Sequence, residues 1–358
     1  MPNLNFGIIG CGKIATRHAN LLSMAEIDGA KLAAVCDPQK DRADAFAAEY
    51  GVKAYYDANE MAEDPNIDVL SILTPSGLHA KNIIDLAHHQ KPIIVEKPMA
   101  LRLKDADKAI EACDKYNVQL FVIKQNRYNL PVMALKKAID SNRMGKLILG
   151  TIRLRWCRPQ SYYDKESWRG TWEHDGGVLT NQASHHIDLL VWIMGEVESV
   201  FAKTTRALAK IEAEDTAVVT IRFKNGALGI IEATTATRPK DLEGSLSVLG
   251  ENGSVVIGGF AANELQTWNF VEQISEDDSI YETHGSNPDH PYGYAHKMYY
   301  ENAVQCILNG SKQLVDGLAG RKSLELISAI YESVETEKEV FLQFTPSKCR
   351  LGQPRKII

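Results

Sequence analysis

Asn5-Phe6-Gly7-Ile8-Ile9-Gly10-Cys11-Gly12-Lys13-Ile14-Ala15 runs an apolar strand pattern (5–9) straight into a glycine turn and then a helical pattern. Glycines at the first and third turn positions permit a tight bend and let backbone amides approach a pyrophosphate closely. Alone, such a match is a weak signal. Working outward, short apolar runs at 31–36, 69–73, 92–95 and 120–124 alternate with helical patterns at 14–24, 41–50, 80–89 and 104–116. That alternation predicts α/β architecture with a doubly wound parallel sheet, both faces covered by right-handed crossovers.

Asp37 ends the second strand pattern, where an acid can bind a ribose 2′-hydroxyl. A plainer reading makes Asp37-Pro38 a helix start. A carboxylate there repels a 2′-phosphate. Its neighbours are Pro38 and Gln39, with Lys40 and Arg42 slightly further along, so NAD is expected rather than NADP. The turn residues Gly10, Gly12, Lys13 and Ile14 complete this end of the expected cofactor site.

The 358 residues suffice for two domains, and 44% hydrophobic with 24% charged residues is ordinary for a globular protein. The formal charge, 40 − 46 = −6, argues against a broad basic face, so no nucleic-acid partner is expected. Cys11, Cys36, Cys113, Cys157, Cys306 and Cys349 form no C-x-x-C pair, which disfavours a zinc ribbon or thioredoxin-like site and fits a reducing cytoplasm. The N-terminus lacks a basic region and a cleavage site. No apolar run approaches the roughly 18 residues of a membrane helix, so no membrane partner is expected either. Residues 355–358 read as a frayed or packed tail.

The pattern changes after Asn126, giving expected domains at 1–126 and 127–358. A helix (132–141), a strand (146–156) and a second helix (182–194) precede strands at 197–205, 217–223, 227–234, 245–249 and 254–258. Lys224-Asn225-Gly226 and Glu251-Asn252-Gly253 are hairpin signals. The second domain should hold a mainly antiparallel sheet with one face solvated or covered by a partner, closed by helices at 294–307 and 320–334.

Three stretches carry chemistry. Glu96-Lys97-Pro98 closes a buried strand at the carboxyl edge of the first sheet, where a cofactor's reactive ring should lie. Lys97 there suits proton handling, since burial lowers a lysine's pKa. The plainer reading pairs it with Glu96. A cis bond at Pro98 would aim the lysine inward. Thr74-Pro75 ends the neighbouring strand. The second stretch runs from Asp175-Gly176-Gly177-Val178-Leu179-Thr180-Asn181 to His185-His186-Ile187-Asp188. On a helix, Asn181, His185 and Asp188 would share a face. A metal site is disfavoured, because adjacent histidines diverge on a helix; one of the two should be structural. The third stretch, 153–172, is rich in Arg, Tyr and Trp and suits an anionic, ring-bearing substrate, or else an oligomer surface.

Together these motifs resemble the glucose–fructose oxidoreductase, inositol dehydrogenase and rhizopine-catabolism (Gfo/Idh/MocA) family over essentially the whole chain. The resemblance implies a Rossmann domain followed by an α/β domain with an open, mainly antiparallel sheet, and a homo-oligomer, dimer or tetramer, through that sheet. It implies Lys97 and His185 as the catalytic pair, with Thr74, Pro75, His79, Glu96, Lys97 and Gln125 joining the NAD site. Many members have aspartate where Asn181 stands. Arg158-Pro159-x-x-Tyr162-Tyr163, Trp168-Arg169-Gly170-x-Trp172 and Asn181-Gln182 resemble a subgroup that oxidises the 3-hydroxyl of a UDP-linked N-acetylglucosaminuronic acid. Its products feed sugars of bacterial surface polysaccharides. That implies Lys97, Gln125, Arg158, Tyr163, Asn181 and His185 as substrate contacts and a UDP-linked uronic acid as the partner. Another sugar or polyol dehydrogenase is the nearest alternative. A non-catalytic NAD-binding regulator is the alternative of another class, and the presence of both Lys97 and His185 argues against it.

Overall fold

The computed structural model describes residues 3–24, 26–285, 294–311 and 313–354; the expected tail at 355–358 lies outside them. The chain divides into two compact units, Met1–Lys124 with Lys297–Arg321, and Gln125–His296 with Lys322–Ile358. The expected single division after residue 126 is thus modified by a returning segment. Glycines explain why that segment packs on the first unit. A Cβ at Gly320 would lie 2.7 Å from Val122, and one at Gly317 would lie 2.9 Å from Ile110. The Val122 amide also donates to the Val315 carbonyl (3.2 Å), extending the sheet edge.

The first unit contains β1 (Leu4–Ile9), α1 (Lys13–Ser23), β2 (Ala30–Cys36), α2 (Lys40–Tyr50), β3 (Lys53–Tyr55), α3 (Ala58–Glu63), β4 (Val69–Ile72), α4 (His79–Leu86), β5 (Ile93–Val95), α5 (Leu103–Lys115) and β6 (Leu120–Val122). Its six strands are parallel in the order β3-β2-β1-β4-β5-β6. This is the Rossmann order, with its switch point between β1 and β4. Every residue of β4 and β5 is buried, as strands covered on both faces require. Sequence reading passes over β3 and α3 because they are too short for periodicity to register. The cap of α3 is nevertheless a local signal: Asp57 accepts from the amides of Asn59 and Glu60.

The second unit contains α6 (Leu130–Asp140), β7 (Leu147–Arg155), α7 (Gln160–Tyr163), α8 (Ser184–Met194), β8 (Val197–Thr205), β9 (Thr216–Phe223), β10 (Leu228–Thr234), β11 (Glu243–Gly250), β12 (Gly253–Gly258), β13 (Glu264–Phe270) and α9 (Ile280–His284). Helix α10 (Ala295–Asn309) and helix α11 (Gly317–Thr336) carry the unit divisions, and β14 (Val340–Phe341) follows. The eight-stranded sheet has the order β13-β12-β11-β7-β10-β9-β8-β14. All pairs are antiparallel except β10 with β7.

Asn225-Gly226 forms the expected β9–β10 hairpin. Gly226 has φ +87°, and the Asn225 side chain donates to the Met194 carbonyl and accepts from the Ala227 amide. Helix α8 lies on one sheet face where Gly150 offers no side chain; a Cβ there would lie 2.6 Å from Met194. It starts at Ser184 rather than 182, so Asn181 stands in the turn before it.

Candidate active site

The dinucleotide-binding features gather at the carboxyl edge of the first sheet. Gly10 has φ +98°, and a Cβ on it would lie 2.9 Å from the Leu73 and Thr74 backbone. Only glycine fits that bend. Gly12, by contrast, faces open space, with nothing within 4 Å of its Cβ direction. It caps α1 with no side-chain hydrogen bond, and the helix has no acid in its first turn. Amides at an uncapped helix N-terminus are suited to an anion.

Asp37 is buried, its Oδ2 accepting from the Cys11 amide (3.0 Å) and its Oδ1 from the Gln39 amide (2.9 Å). A carboxylate offers about four lone-pair directions, so two remain for ribose hydroxyls. Asp37 is not the cap of α2, which is Gln39. Arg42 approaches Asp37 at 4.0 Å from a half-exposed position. Burial, followed by the Asp37 charge, pushes the Cys11 thiol up to about 12, so it sits beside the turn as an inert apolar group. An open turn, an uncapped helix and an acid with spare acceptors fit NAD.

Two expected cofactor contacts have other partners. His79 is 1% exposed, with Nδ1 2.7 Å from the Pro98 carbonyl and Nε2 2.7 Å from the Thr74 carbonyl. It braces the Thr74-Pro75 loop against the loop after β5. Glu96 turns its Oε1 to His18 Nε2 (3.1 Å), while its Oε2 accepts from the Lys97 amide (2.8 Å). His18 in turn meets the Tyr300 hydroxyl at 2.7 Å, making a buried Glu96–His18–Tyr300 chain. Glu96 therefore anchors the strand end through its backbone and α1. Lys97 stands half-buried between Glu96 and Pro98, and the Lys97–Pro98 peptide is cis. Thr74 and Pro75 are half-buried, and the Thr74 hydroxyl donates to Asn82 Oδ1 (2.8 Å).

In the second unit, Gln125 and His185 come together, Gln125 Nε2 lying 3.2 Å from His185 Nε2. The segment carrying Gln125 is clamped at both ends. Arg127 makes a two-pronged pair with Asp188 on α8 (2.7 and 2.9 Å) and stacks over Trp192, while the Asn126 and Asn129 side chains donate to the Ala261 carbonyl. Asp188 pairs with Arg127, and of the expected shared face His185 and Asp188 keep i, i+3 spacing on α8 while Asn181 falls in the turn before it. His186 is 1% exposed and packs edge-on against Trp156, and burial lowers its pKa to about 4. It is the structural member of the histidine pair.

Asn181 donates from Nδ2 to Asp175 Oδ1 (2.7 Å), which fixes the orientation of its amide. Asp175 Oδ2 accepts from the Gly170 amide (2.8 Å), tying this turn to the Arg- and Trp-rich segment. Glu214 and Tyr331 support the turn from below. Glu214 Oε1 accepts from the Leu179 amide and the Tyr331 hydroxyl, each at 3.0 Å. A Cβ at Gly177 would lie 2.1 Å from the Glu214 carbonyl. Burial, and more weakly Asp175, raises the Glu214 carboxyl to about 7. Sequence reading missed Asp175 as a positioning residue, and missed Glu214 and Tyr331 altogether. Gly176-Gly177 was the one local hint of a close approach.

Two expected substrate contacts are also engaged. Tyr163 is 5% exposed and its hydroxyl meets the Thr235 hydroxyl at 2.9 Å. Arg158 donates from Nη1 to Asp241 (2.8 Å) and to the Cys157 carbonyl (2.7 Å), so much of its charge is already balanced. It also stacks over Trp156, whose ring lies parallel to Phe260 at 4.3 Å.

A Rossmann sheet with an open glycine turn and a ribose-ready acid, followed by a mixed-sheet unit that brings Gln125 to His185, defines a nicotinamide-dependent oxidoreductase. The chain belongs to the Gfo/Idh/MocA oxidoreductase family. Residues 4–124 match its NAD-binding Rossmann fold, and residues 136–342 match its C-terminal alpha/beta domain. Its cofactor is NAD. The chain is similar to the WlbA dehydrogenase from Bordetella pertussis in complex with NADH and UDP-GlcNAcA, at 40% identity and TM-score 0.91, covering 96% of this chain and 99% of that one. The WlbA dehydrogenase from Chromobacterium violaceum, in the same kind of complex, is 39% identical at TM-score 0.89, covering 96% and 97%. A myo-inositol 2-dehydrogenase from Thermotoga maritima is 30% identical over 355 residues, covering 95% of this chain and 99% of that protein.

Proposed function

We propose that the chain oxidises the 3-hydroxyl of UDP-linked N-acetylglucosaminuronic acid to the 3-keto sugar. The observation that carries this reading is the 40% identity, over 96% of the chain, to a dehydrogenase solved with NADH and UDP-GlcNAcA. Oxidation at the family level is common to every relative above. The inositol dehydrogenase, at 30% identity, supports the second reading, a free polyol substrate. The nucleotide-sugar product would serve bacterial surface polysaccharide synthesis in the cytoplasm.

Bound NAD supplies the hydride acceptor. His185 takes the hydroxyl proton, and the Lys97 ammonium orients the hydroxyl. Gln125 flanks the His185 ring, and Asp175 holds the Asn181 amide, whose neutrality avoids placing another carboxylate beside the sugar acid. General-base help is worth roughly 10²–10⁴ in rate. Lys97→Met and His185→Ala should each lose turnover on that scale while NAD affinity stays within about threefold, a margin of under 1 kcal/mol. Near-normal kcat in both variants overturns the role assignment.

We extend the proposal to a homo-oligomer through the second sheet. Phe201, Val218, Leu228 and Ile230 are exposed and point to the same face, since Phe201 and Ile230 both pair with Thr220, and Glu232 pairs with Val218.

A further inference from the structure

A cavity of about 430 Å³ opens in the second unit, between the segment that follows β7 and the loop joining β8 to β9. Arg169, Arg206 and Lys210 all line it. Among the described residues none of these three cations forms an ion pair with a carboxylate. Arg206 donates to the Ile211 carbonyl (3.1 Å), which fixes the loop without balancing the charge. Arg169 lies close to two rings, its guanidinium 4.7 Å from the Tyr162 centroid and 4.6 Å from the Trp168 centroid.

A guanidinium packed near aromatic rings still offers N–H groups at its edge, and such groups recognise phosphate oxygens. Three acids, Asp164, Glu166 and Glu212, line the same cavity, and none is within ion-pair distance of these cations among the described residues. Glu212 accepts from the Trp172 amide (3.1 Å), Asp164 accepts from the Gln160 side chain (2.9 Å), and Glu166 is exposed.

One hydroxyl links the cavity to the turn before α8. Arg169 Nη1 donates to the Tyr162 hydroxyl (2.8 Å), which also takes Gln182 Nε2 (3.4 Å). Gln182 follows Asn181 directly, so an anion in the cavity lies one side-chain relay from a proposed sugar contact.

We propose that this cavity is a diphosphate-binding subsite, with Arg169, Lys210 and Arg206 gripping the pyrophosphate of a nucleotide-linked substrate. The inference rests on the nucleotide-sugar reading above. It moves anion recognition away from Arg158, which Asp241 already balances.

The test is direct binding of UDP to the NAD-loaded protein by titration calorimetry, with inorganic pyrophosphate as a competitor. Arg169→Gln should weaken UDP about tenfold or more, as expected for a charge-assisted contact. Lys210→Gln alters an exposed side chain and should weaken UDP several-fold with an unchanged melting temperature. In both variants kcat at saturating substrate should stay near the wild-type value while KM rises. Pyrophosphate should displace UDP from the wild type. If the wild type binds UDP, and both variants bind it equally well, the subsite is wrong and the nucleotide-sugar reading stands. UDP held without competition from pyrophosphate also removes the subsite. If the wild type binds no UDP, both proposals fall.

Discussion

Replacing Glu214 by glutamine should change how stability depends on pH. The carboxyl is buried, Oε1 takes both hydrogen bonds, and Oε2 has no hydrogen-bond partner among the described residues. The groups facing it are Tyr331 from α11 and Asp175 from the turn, with Asp215 next in the chain. None of these is a cation, so the neutral acid is favoured. The carboxyl rises from its ordinary 4.5 to about 7.

Between those values the folded chain holds a proton that the unfolded chain has released, so stability falls as pH rises. The loss is complete above the folded pKa. With 7 − 4.5 = 2.5 units at about 1.36 kcal/mol each, it amounts to about 3 kcal/mol. Glutamine cannot ionise and escapes that loss, though its amide also lacks a partner at the Oε2 position. At pH 5 Glu214→Gln should match the wild type or melt slightly lower. At pH 9 it should gain, relative to the wild type, about 6–12 °C, using ~2–4 °C per kcal/mol for a unit of this size. Calorimetric melts of both proteins at the two pH values give the comparison. A melting-temperature difference that is the same at pH 5 and pH 9 refutes the argument.

Asp37→Ala should weaken NAD by about one to two orders of magnitude, the size of a lost charge-assisted hydrogen bond, and narrow its advantage over NADP; an unmodified protein that prefers NADP contradicts the reading of the turn. Ile230→Lys, placed in the middle of the exposed sheet face, should shift the protein to a smaller species by light scattering. A wild type that is already monomeric at micromolar concentration removes the sheet interface.

The dinucleotide unit is legible in sequence because its signals are local. Gly10, Gly12 and Asp37 lie within one βαβ span, and buried parallel strands read as plain apolar runs. Asn225-Gly226 marks its hairpin for the same reason. The partners of the site residues are not local. Arg158 meets Asp241 across 83 positions, Arg127 meets Asp188 across 61, and Glu214 meets Tyr331 across 117. Residue type alone makes Arg158 look ready for an anion and leaves Asp188 without a visible partner. Topology supplies each of them one, Asp241 and Arg127. The partners of His79 and Glu96 are equally hidden, since a strand-end position does not reveal which way a side chain turns. The return of Lys297–Arg321 to the first unit is signalled only by Gly317 and Gly320, whose partners Ile110 and Val122 lie far back in the chain.

The most direct test of the functional reading is NADH formation by the purified protein on UDP-N-acetylglucosaminuronic acid, UDP-N-acetylglucosamine and myo-inositol, compared as kcat/KM and run with and without 2-oxoglutarate as an oxidant for bound NADH. The account predicts that the uronic acid exceeds UDP-N-acetylglucosamine by at least about tenfold, the worth of one charge-assisted contact to its carboxylate, and that myo-inositol gives negligible turnover. Equal rates on the two nucleotide sugars, or turnover confined to myo-inositol, would contradict it and leave an oxidoreductase of this family with a different substrate.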